Sequence, residues 1–378
     1  MYNEFSVADF RGIKSIQLSG LGRINLISGR NDTGKTSVLE ALFLHAAGPF
    51  APFNALGLRT SSRAELPLDL AASGGQVNPW ASYFAGFDVA TPIRMSSVSS
   101  GLRYVLEIVG DSSEPGVAPV VSASASGSTN RVIGRLLLRE TRGDEETKER
   151  KVVLRVQVDP EEVDTWKGRA PSLYARTTTV QVISDPPPSD DELTFAFFAS
   201  NRGADPALAE KYSRTRQHRS KLQLVDALQG LDDRIRDLEV LSTGGQSTLN
   251  AVLKNDLLIP LNLLGGGPMT VANILLGIAD SKPGSIILLD EVENGVHWSA
   301  MEHMWRAVYR AAHRFEVQVF ATTHSRECLV AAARALSQKK GDVRLFRLGH
   351  PDNAGSQIVG SYDYDKLLAG LEMDLDLR

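Results

Sequence analysis

The sequence predicts an α/β fold: a mixed β-sheet flanked by helices, with an inserted, mainly antiparallel β lobe. Three observations point to it. Residues 29–37, GRNDTGKTS, lie between an apolar run, Ile24–Ser28, and a helix-like run, Ser37–His45. From Ser285 to Leu348 strand-like and helix-like periods alternate, which favours a parallel sheet. Between Leu102 and Ile183, alternating β-branched and aliphatic runs recur with no helical period, the pattern of an antiparallel sheet.

Taken in order, strands are expected near Glu4–Val7, Ile13–Leu18 and Arg23–Ser28, followed by the Gly-rich turn and its helix. From Gly48 to about residue 130 the stretches PFAPFNALG, ASGGQVNP and SASASGSTN signal loops. Strands follow or punctuate them at Leu102–Val109, Val132–Arg139, Val152–Val158 and Thr177–Ile183. Pro186–Pro188 end that lobe, because proline neither donates to a ladder nor continues a helix. A strand is then expected at Leu193–Ala199 and one polar, basic helix at Pro206–Gly230. Helices at Met269–Ala279, Ser299–Ala312 and Ser325–Leu336 alternate with strands at Ser285–Leu289, Val317–Ala321 and Val343–Leu348. The expected domains are a discontinuous core (1–49 and 190–378), a β-rich insertion (50–189) and a short helical protrusion (205–240).

Composition bounds the function. With 378 residues, 42% of them hydrophobic, the chain can bury a sizeable core. A net charge of -4 gives no general attraction for nucleic acid, so any DNA contact must come from a local basic patch. A single cysteine, Cys328, excludes an internal disulfide and fits a reducing compartment. No apolar run is long enough to cross a membrane, and the opening residues do not resemble a secretion signal. A cytoplasmic protein with no membrane partner is expected.

GRNDTGKTS is a full GxxxxGK(S/T) phosphate loop, the mark of a P-loop NTPase. The loop formed by Asn31, Asp32, Thr33, Gly34, Lys35, Thr36 and Ser37 would turn backbone N–H groups toward phosphates. Lys35 would reach the β- and γ-oxygens, and the Thr36 hydroxyl would ligate Mg²⁺. The strand-like Ile286–Leu289 delivers Asp290, a second group to hold Mg²⁺ through water, and Glu291, suited to orient and deprotonate an attacking water. A further strand ends at His324, whose imidazole could bond the γ-phosphate or that water. ATP and Mg²⁺ are the expected cofactors.

FRGIKSIQL, INLISGRNDTGKTSVLEALFL, IILLDEVENGVHWSAMEHMW and QVFATTHSRECL, in this order, resemble the ABC-type ATPases of the RecF, SMC and OLD (overcoming lysogenisation defect) group. They are most similar to the OLD-like AAA ATPases associated with phage defence and DNA maintenance. The resemblance covers about a third of the chain. It implies an ABC-type, RecF/SMC-head-like core whose ATP is sandwiched between two protomers, so a homodimer or higher oligomer. It also implies a signature motif that covers the partner's phosphate loop. Two stretches compete for that role: Leu241–Gln246, reading LSTGGQ, and Gly265, Gly266 and Gly267, which open the helix leading to Asp290. The second is chosen, since a bare helix N-terminus can hold a phosphate. It departs from the group's pattern, with Gly265 in place of the usual serine. Arg11 in FRGIK either approaches the phosphates or is a surface residue of a turn, and Asn294 and Gly295 match a region where protomers touch.

OLD nucleases carry a Toprim domain of about a hundred residues after the ATPase; only 54 residues follow His324, so none is expected here. Asp363, Asp365, Asp374 and Asp376 read as ordinary surface acids. A separate effector protein, a nuclease or toxin, is the expected partner. DNA is a second one, through Arg202, Lys211, Arg214, Arg216, Arg219 and Lys221 with Tyr212 and His218 among them, a run that equally reads as a solvated helix face. The resulting expectation is an ATP-hydrolysing switch. A scaffold that binds ATP with little hydrolysis, a nucleotide-binding subunit of a transporter and a kinase are the alternatives.

Overall fold

A computed structural model describes residues 1–46, 81–110, 122–123, 129–158, 179–185, 195–199, 208–216, 221–243, 246–351, 356–373 and 375–377. The chain opens with β1 (Glu4–Phe10), β2 (Ile13–Ser19), β3 (Ile24–Gly29) and helix α1 (Lys35–Ala46). Then come β4 (Ile93–Ser99), β5 (Leu102–Gly110), the short β6 (Ser122–Ala123), β7 (Thr129–Arg142), β8 (Lys148–Val158) and β9 (Thr179–Asp185). The next segment holds β10 (Phe195–Ala199), α2 (Leu208–Arg216), α3 (Lys221–Gln229), β11 (Ile235–Thr243), β12 (Gln246–Leu253) and β13 (Leu258–Pro260). The last part comprises α4 (Gly266–Ala279), β14 (Ile286–Asp290), α5 (Met301–Arg314), β15 (Gln318–Thr323), α6 (Arg326–Ala335), β16 (Val343–Pro351), β17 (Gln357–Asp363) and α7 (Tyr364–Glu372).

One sheet runs β10-β14-β15-β3-β16-β17, parallel through β16 and closed by antiparallel β17. Its central strands β3 and β15 are buried at every position, as expected where helices or a second sheet cover both faces. Ile287, Leu289, Val319, Ala321 and Leu345 face a core shared with α4 to α7, while Ile286, Leu288, Phe320 and Phe346 face α1 on the other side.

The second sheet, β2-β1-β4-β5-β7-β8-β9 with β6 on β7, is antiparallel. It includes β1 and β2, which the sequence assigned to the core domain. The cause is the alternation of β1: Phe5, Val7 and Phe10 are buried in the same cluster as Val38, Leu39, Leu42 and Phe43 of α1. Helix α1 is therefore packed between the two sheets. That explains why it is apolar on nearly all sides and why it carries no wet face.

The segment expected as one basic helix forms two, and it is no protrusion. Leu208, Ala209 and Tyr212 of α2 and Leu224, Ala227 and Leu228 of α3 are buried in the main core. Strand β11 then starts within the same expected span and pairs with β12. Strands β4 and β17 and helix α7 are further elements that the sequence reading did not resolve. The N-terminal edge of the parallel sheet is fastened by Gln318, fully buried, which accepts from Tyr2 N at 2.8 Å and donates to Tyr2 O at 2.9 Å and Gly22 O at 2.8 Å.

Candidate nucleotide-binding site

The opposite, C-terminal edge of that sheet gathers the chemistry, as open α/β sheets generally do. Strand β15 lies between β3, which carries the phosphate loop, and β14, which carries Asp290. Ser28 pairs with Thr323, and Leu289 with Ala321, so the three strand ends lie level.

In the phosphate loop Asp32 and Gly34 take φ values of 66° and 90°, turning the backbone tightly before α1. Thr33, buried, donates to Arg30 O at 2.8 Å and braces the turn, while Asn31 and Asp32 are exposed. The first N–H groups of α1 have no partner within their own helix. Lys35 Nζ donates to Gly29 O and Arg30 O at 2.8 Å each, folded back over its own loop. Burial holds its pKa below the ordinary lysine value, opposed by the nearby carboxylates of Glu291, Asp290 and Glu293.

Thr36 Oγ1 is 3.3 and 3.2 Å from the two carboxylate oxygens of Asp290. These are hard oxygen donors from the loop and the facing strand, the set that Mg²⁺ takes when it also binds phosphate. Burial pushes the Asp290 carboxyl above its usual pKa, partly offset by hydrogen bonds from Thr322 and Thr36 and by Lys35. A buried carboxylate whose charge is under-compensated is a fitting place for a divalent cation.

Thr322, which the sequence reading passed over, ties the site together. Its hydroxyl donates to Asp290 Oδ1 at 2.6 Å and accepts from Glu291 N at 2.8 Å. Glu291 has φ 48°, uncommon for a residue with a side chain and seen where surroundings over-determine the backbone. Its Oε2 accepts from Asn294 Nδ2 at 2.8 Å. His324 stands beside them, half-exposed, with Nδ1 3.1 Å from Glu293 Oε1. Glu293 was legible only as a polar residue two positions after Glu291 in the run DEVEN, and Asn294 as part of a region where protomers touch, not as a partner of Glu291.

Lys35, Thr36, Asp290, Glu291 and His324 are thus brought together; Arg11 lies against α1, and Gly265–Gly267, expected to meet a partner's loop, lie at the start of α4. Arg11 is held by Glu40 of α1 at 3.0 Å, with Glu40 1% exposed, and its guanidinium stacks over Tyr83 and Phe10. A buried carboxylate on α1 draws it onto the helix, so it is not an exposed residue of a surface turn. Gly265 (φ 111°) precedes α4, and Gly266 and Gly267 pack against the loop after β14. A Cβ on Gly267 would sit 3.2 Å from Gly295 O, a tight contact that would require the loop after β14 to give by a few tenths of an ångström. Of the competing stretch Leu241–Gln246, Leu241–Thr243 end β11 and Gln246 starts β12, which pairs with it antiparallel; Gly244 and Gly245 lie outside the described residues.

Of the basic run, Arg202, His218 and Arg219 lie outside the described residues. Arg214 is paired with Asp280 at 2.9 Å and Glu210 at 2.6 Å, and Tyr212 is buried with its hydroxyl on Leu238 O. Two of its members therefore serve the fold. Asp363 caps α7 and Asp365 pairs with Lys340, while Asp374 is outside the described residues. Among the described residues no group of three His, Cys, Asp or Glu forms a metal-holding cluster, and no helix is long and apolar enough to cross a membrane. Cys328 is buried, and burial pushes its thiol pKa up to about 12.

Comparison with known proteins adds to this picture. Residues 189–329 match the AAA ATPase domain family, a span that includes Asp290, Glu291 and His324 but begins after the phosphate loop. An uncharacterized protein of Methanocaldococcus jannaschii is 44% identical over 55 residues, 14% of this chain and 25% of that protein, so the match spans a quarter of its length. Among solved structures, an SMC head bound to the C-winged helix domain of ScpA aligns with a TM-score of 0.47 and 12% identity over 97% of this chain and 99% of the other. The SMC head domain from Thermotoga maritima gives 0.42 and 12% over 96% and 99%. At such scores the geometry of the site itself, rather than the likeness, carries the reading. The chain folds as a P-loop ATPase-type α/β core with an antiparallel β lobe, and residues 189–329 of it match an AAA ATPase domain.

Proposed function

We propose that the protein is an ATP-hydrolysing switch that requires Mg²⁺, pairs with a second copy on ATP and passes that state to a separate effector. The supporting observation is the convergence of Lys35, Thr36, Asp290, Glu291 and His324 on one edge of one sheet, with Thr322 joining Asp290 to Glu291. Lys35 and the α1 N-terminus bind the phosphates. Thr36 and Asp290 would hold Mg²⁺, which when bound neutralises phosphate charge. Glu291 accepts a proton from the attacking water as its oxygen bonds the γ-phosphorus, the β–γ bridging P–O bond breaks, and ADP and phosphate remain. Release of phosphate from purified protein should be lost in Lys35→Ala together with nucleotide binding. In Glu291→Gln binding should persist while hydrolysis falls by about 10²–10⁴-fold. A wild type that binds ATP and releases no phosphate would instead establish the scaffold reading, which the all-glycine stretch Gly265–Gly267 favours.

The setting in phage defence or DNA maintenance rests on the sequence resemblance, as do a nuclease or toxin effector and a DNA partner. Pull-down with the ATP-trapped Glu291→Gln form would identify the effector. Recovery of the same proteins with Lys35→Ala would show that ATP does not govern the contact.

A further inference from the structure

Behind His324 lies a carboxylate that phosphate binding and metal binding leave unused. Glu293 is 8% exposed, and its Oε1 accepts the backbone N–H of His324 at 2.9 Å while lying 3.1 Å from His324 Nδ1. Its Oε2 is buried and has no hydrogen-bond partner among the described residues. A carboxylate this deep is retained at a cost, and its one engaged oxygen accepts the backbone N–H of His324 while lying within ion-pair distance of the same residue's ring.

We propose that Glu293 is a positioning residue that fixes the tautomer and direction of the His324 ring, leaving Nε2 as a bare acceptor for the attacking water. The inference rests on the ATP-hydrolysis reading and deepens it. With a carboxylate oxygen facing it at 3.1 Å, Nδ1 is the ring nitrogen favoured to carry the hydrogen. In the neutral ring the other nitrogen then has a free lone pair. The attacking water has two hydrogens. One goes to Glu291 as the oxygen bonds phosphorus; the other points at Nε2 and fixes the orientation of the lone pair that attacks. Half of the His324 side chain is exposed, so the ring is reachable by solvent. Without Glu293 the ring rotates and both tautomers are populated, so chemistry suffers while phosphate binding, made by Lys35 and the loop, does not.

The test is a double-mutant cycle on the full chain with Glu293→Ala, His324→Ala and the pair, measuring phosphate release at saturating ATP and ATP affinity separately. Glu293→Ala should lower kcat by about 10- to 100-fold. ATP affinity should change little, and the pair should be no slower than His324→Ala alone. Glu293→Gln, which keeps the size and an acceptor oxygen, should recover part of the loss and guards against misfolding. In ¹⁵N spectra of imidazole-labelled protein, His324 should show a protonated Nδ1 and a bare Nε2, and this pattern should collapse to a mixture in Glu293→Ala. Losses that multiply in the double variant, or a His324 ring protonated on Nε2 in the wild type, would overturn the proposal. If the wild type releases no phosphate at all, the hydrolysis reading falls first and the role of Glu293 in it falls too; the ring spectrum then still reports whether Glu293 sets the tautomer.

Discussion

At the scale of single residues, the site depends on groups whose burial and partners set their behaviour. Asp290 is desolvated and linked to Thr36 and Thr322, so Asp290→Asn should keep the fold while abolishing the Mg²⁺ dependence of nucleotide binding. Chelation by EDTA should reduce wild-type ATP binding to the level of that variant; equal binding with and without chelator would count against Asp290 and Thr36 as the metal's holders. His45 offers a second prediction away from the site. Its ring lies between Tyr2, Phe5 and Tyr104 with Nδ1 2.8 Å from the Tyr2 hydroxyl, and burial depresses its pKa from 6.5 to about 3. Between those two values the unfolded chain holds a proton that the folded chain refuses, so stability falls as pH drops from about 6.5 toward about 3, and His45 contributes no pH dependence above that window. The full shift is worth on the order of 5 kcal/mol. Urea unfolding between pH 7 and pH 4 should show a steep loss in the wild type and a shallower one in His45→Gln; parallel slopes would refute it. The phosphate loop, Asp290, Glu291 and His324 were legible because their spacing on strand ends is itself the signal. The roles of Thr322 and Glu293, and the bond from Asn294 to Glu291, were not, because a polar residue beside a motif looks the same in sequence whether it is buried against a catalytic group or wet.

At the scale of elements, runs with a strong period were read well and their pairing was not. The apolar runs at Ile24–Ser28 and Ser285–Leu289 became β3 and β14 within a residue or so. That β1 and β2 join the antiparallel sheet depends on contacts with strands almost a hundred residues away, which no local pattern records. The helices α2 and α3 look like a polar protrusion in sequence because their apolar residues, Leu208 with Tyr212 and Leu224 with Leu228, form narrow stripes in a basic stretch. Gln318 illustrates the same gap: one amide in a strand reads as a flaw in the apolar pattern, yet it holds Tyr2 and Gly22. Gln318→Leu would leave these buried groups unpaired and should cost about 2–4 kcal/mol by denaturant titration. A loss below the error of the titration would show that water replaces the amide.

For the whole molecule, the Gly266–Gly295 contact sets the start of α4 directly against the loop that descends from Glu291 through Asn294. A partner's phosphate held at Gly265–Gly267 would thus press on the segment that orients Glu291. Light scattering of Glu291→Gln with Mg²⁺ and ATP should show the mass of a pair of chains, reverting to one in Lys35→Ala. Gly267→Val should abolish pairing while leaving ATP binding by each chain intact, since its added methyls meet Gly295 rather than the phosphate loop. Persistence of the pair in Gly267→Val would exclude this helix end from the interface.

By itself the sequence determined that a phosphate loop and two acids follow strands of an α/β core, because loop turns and strand periods are local properties of consecutive residues. Only the tertiary structure decided that β15 separates β3 from β14, that Thr322 joins Asp290 to Glu291, that Glu293 stands behind His324, and that Arg11 belongs to Glu40. Those facts depend on which buried charges and hydroxyls find each other once distant segments are packed, and on how much water is left between them.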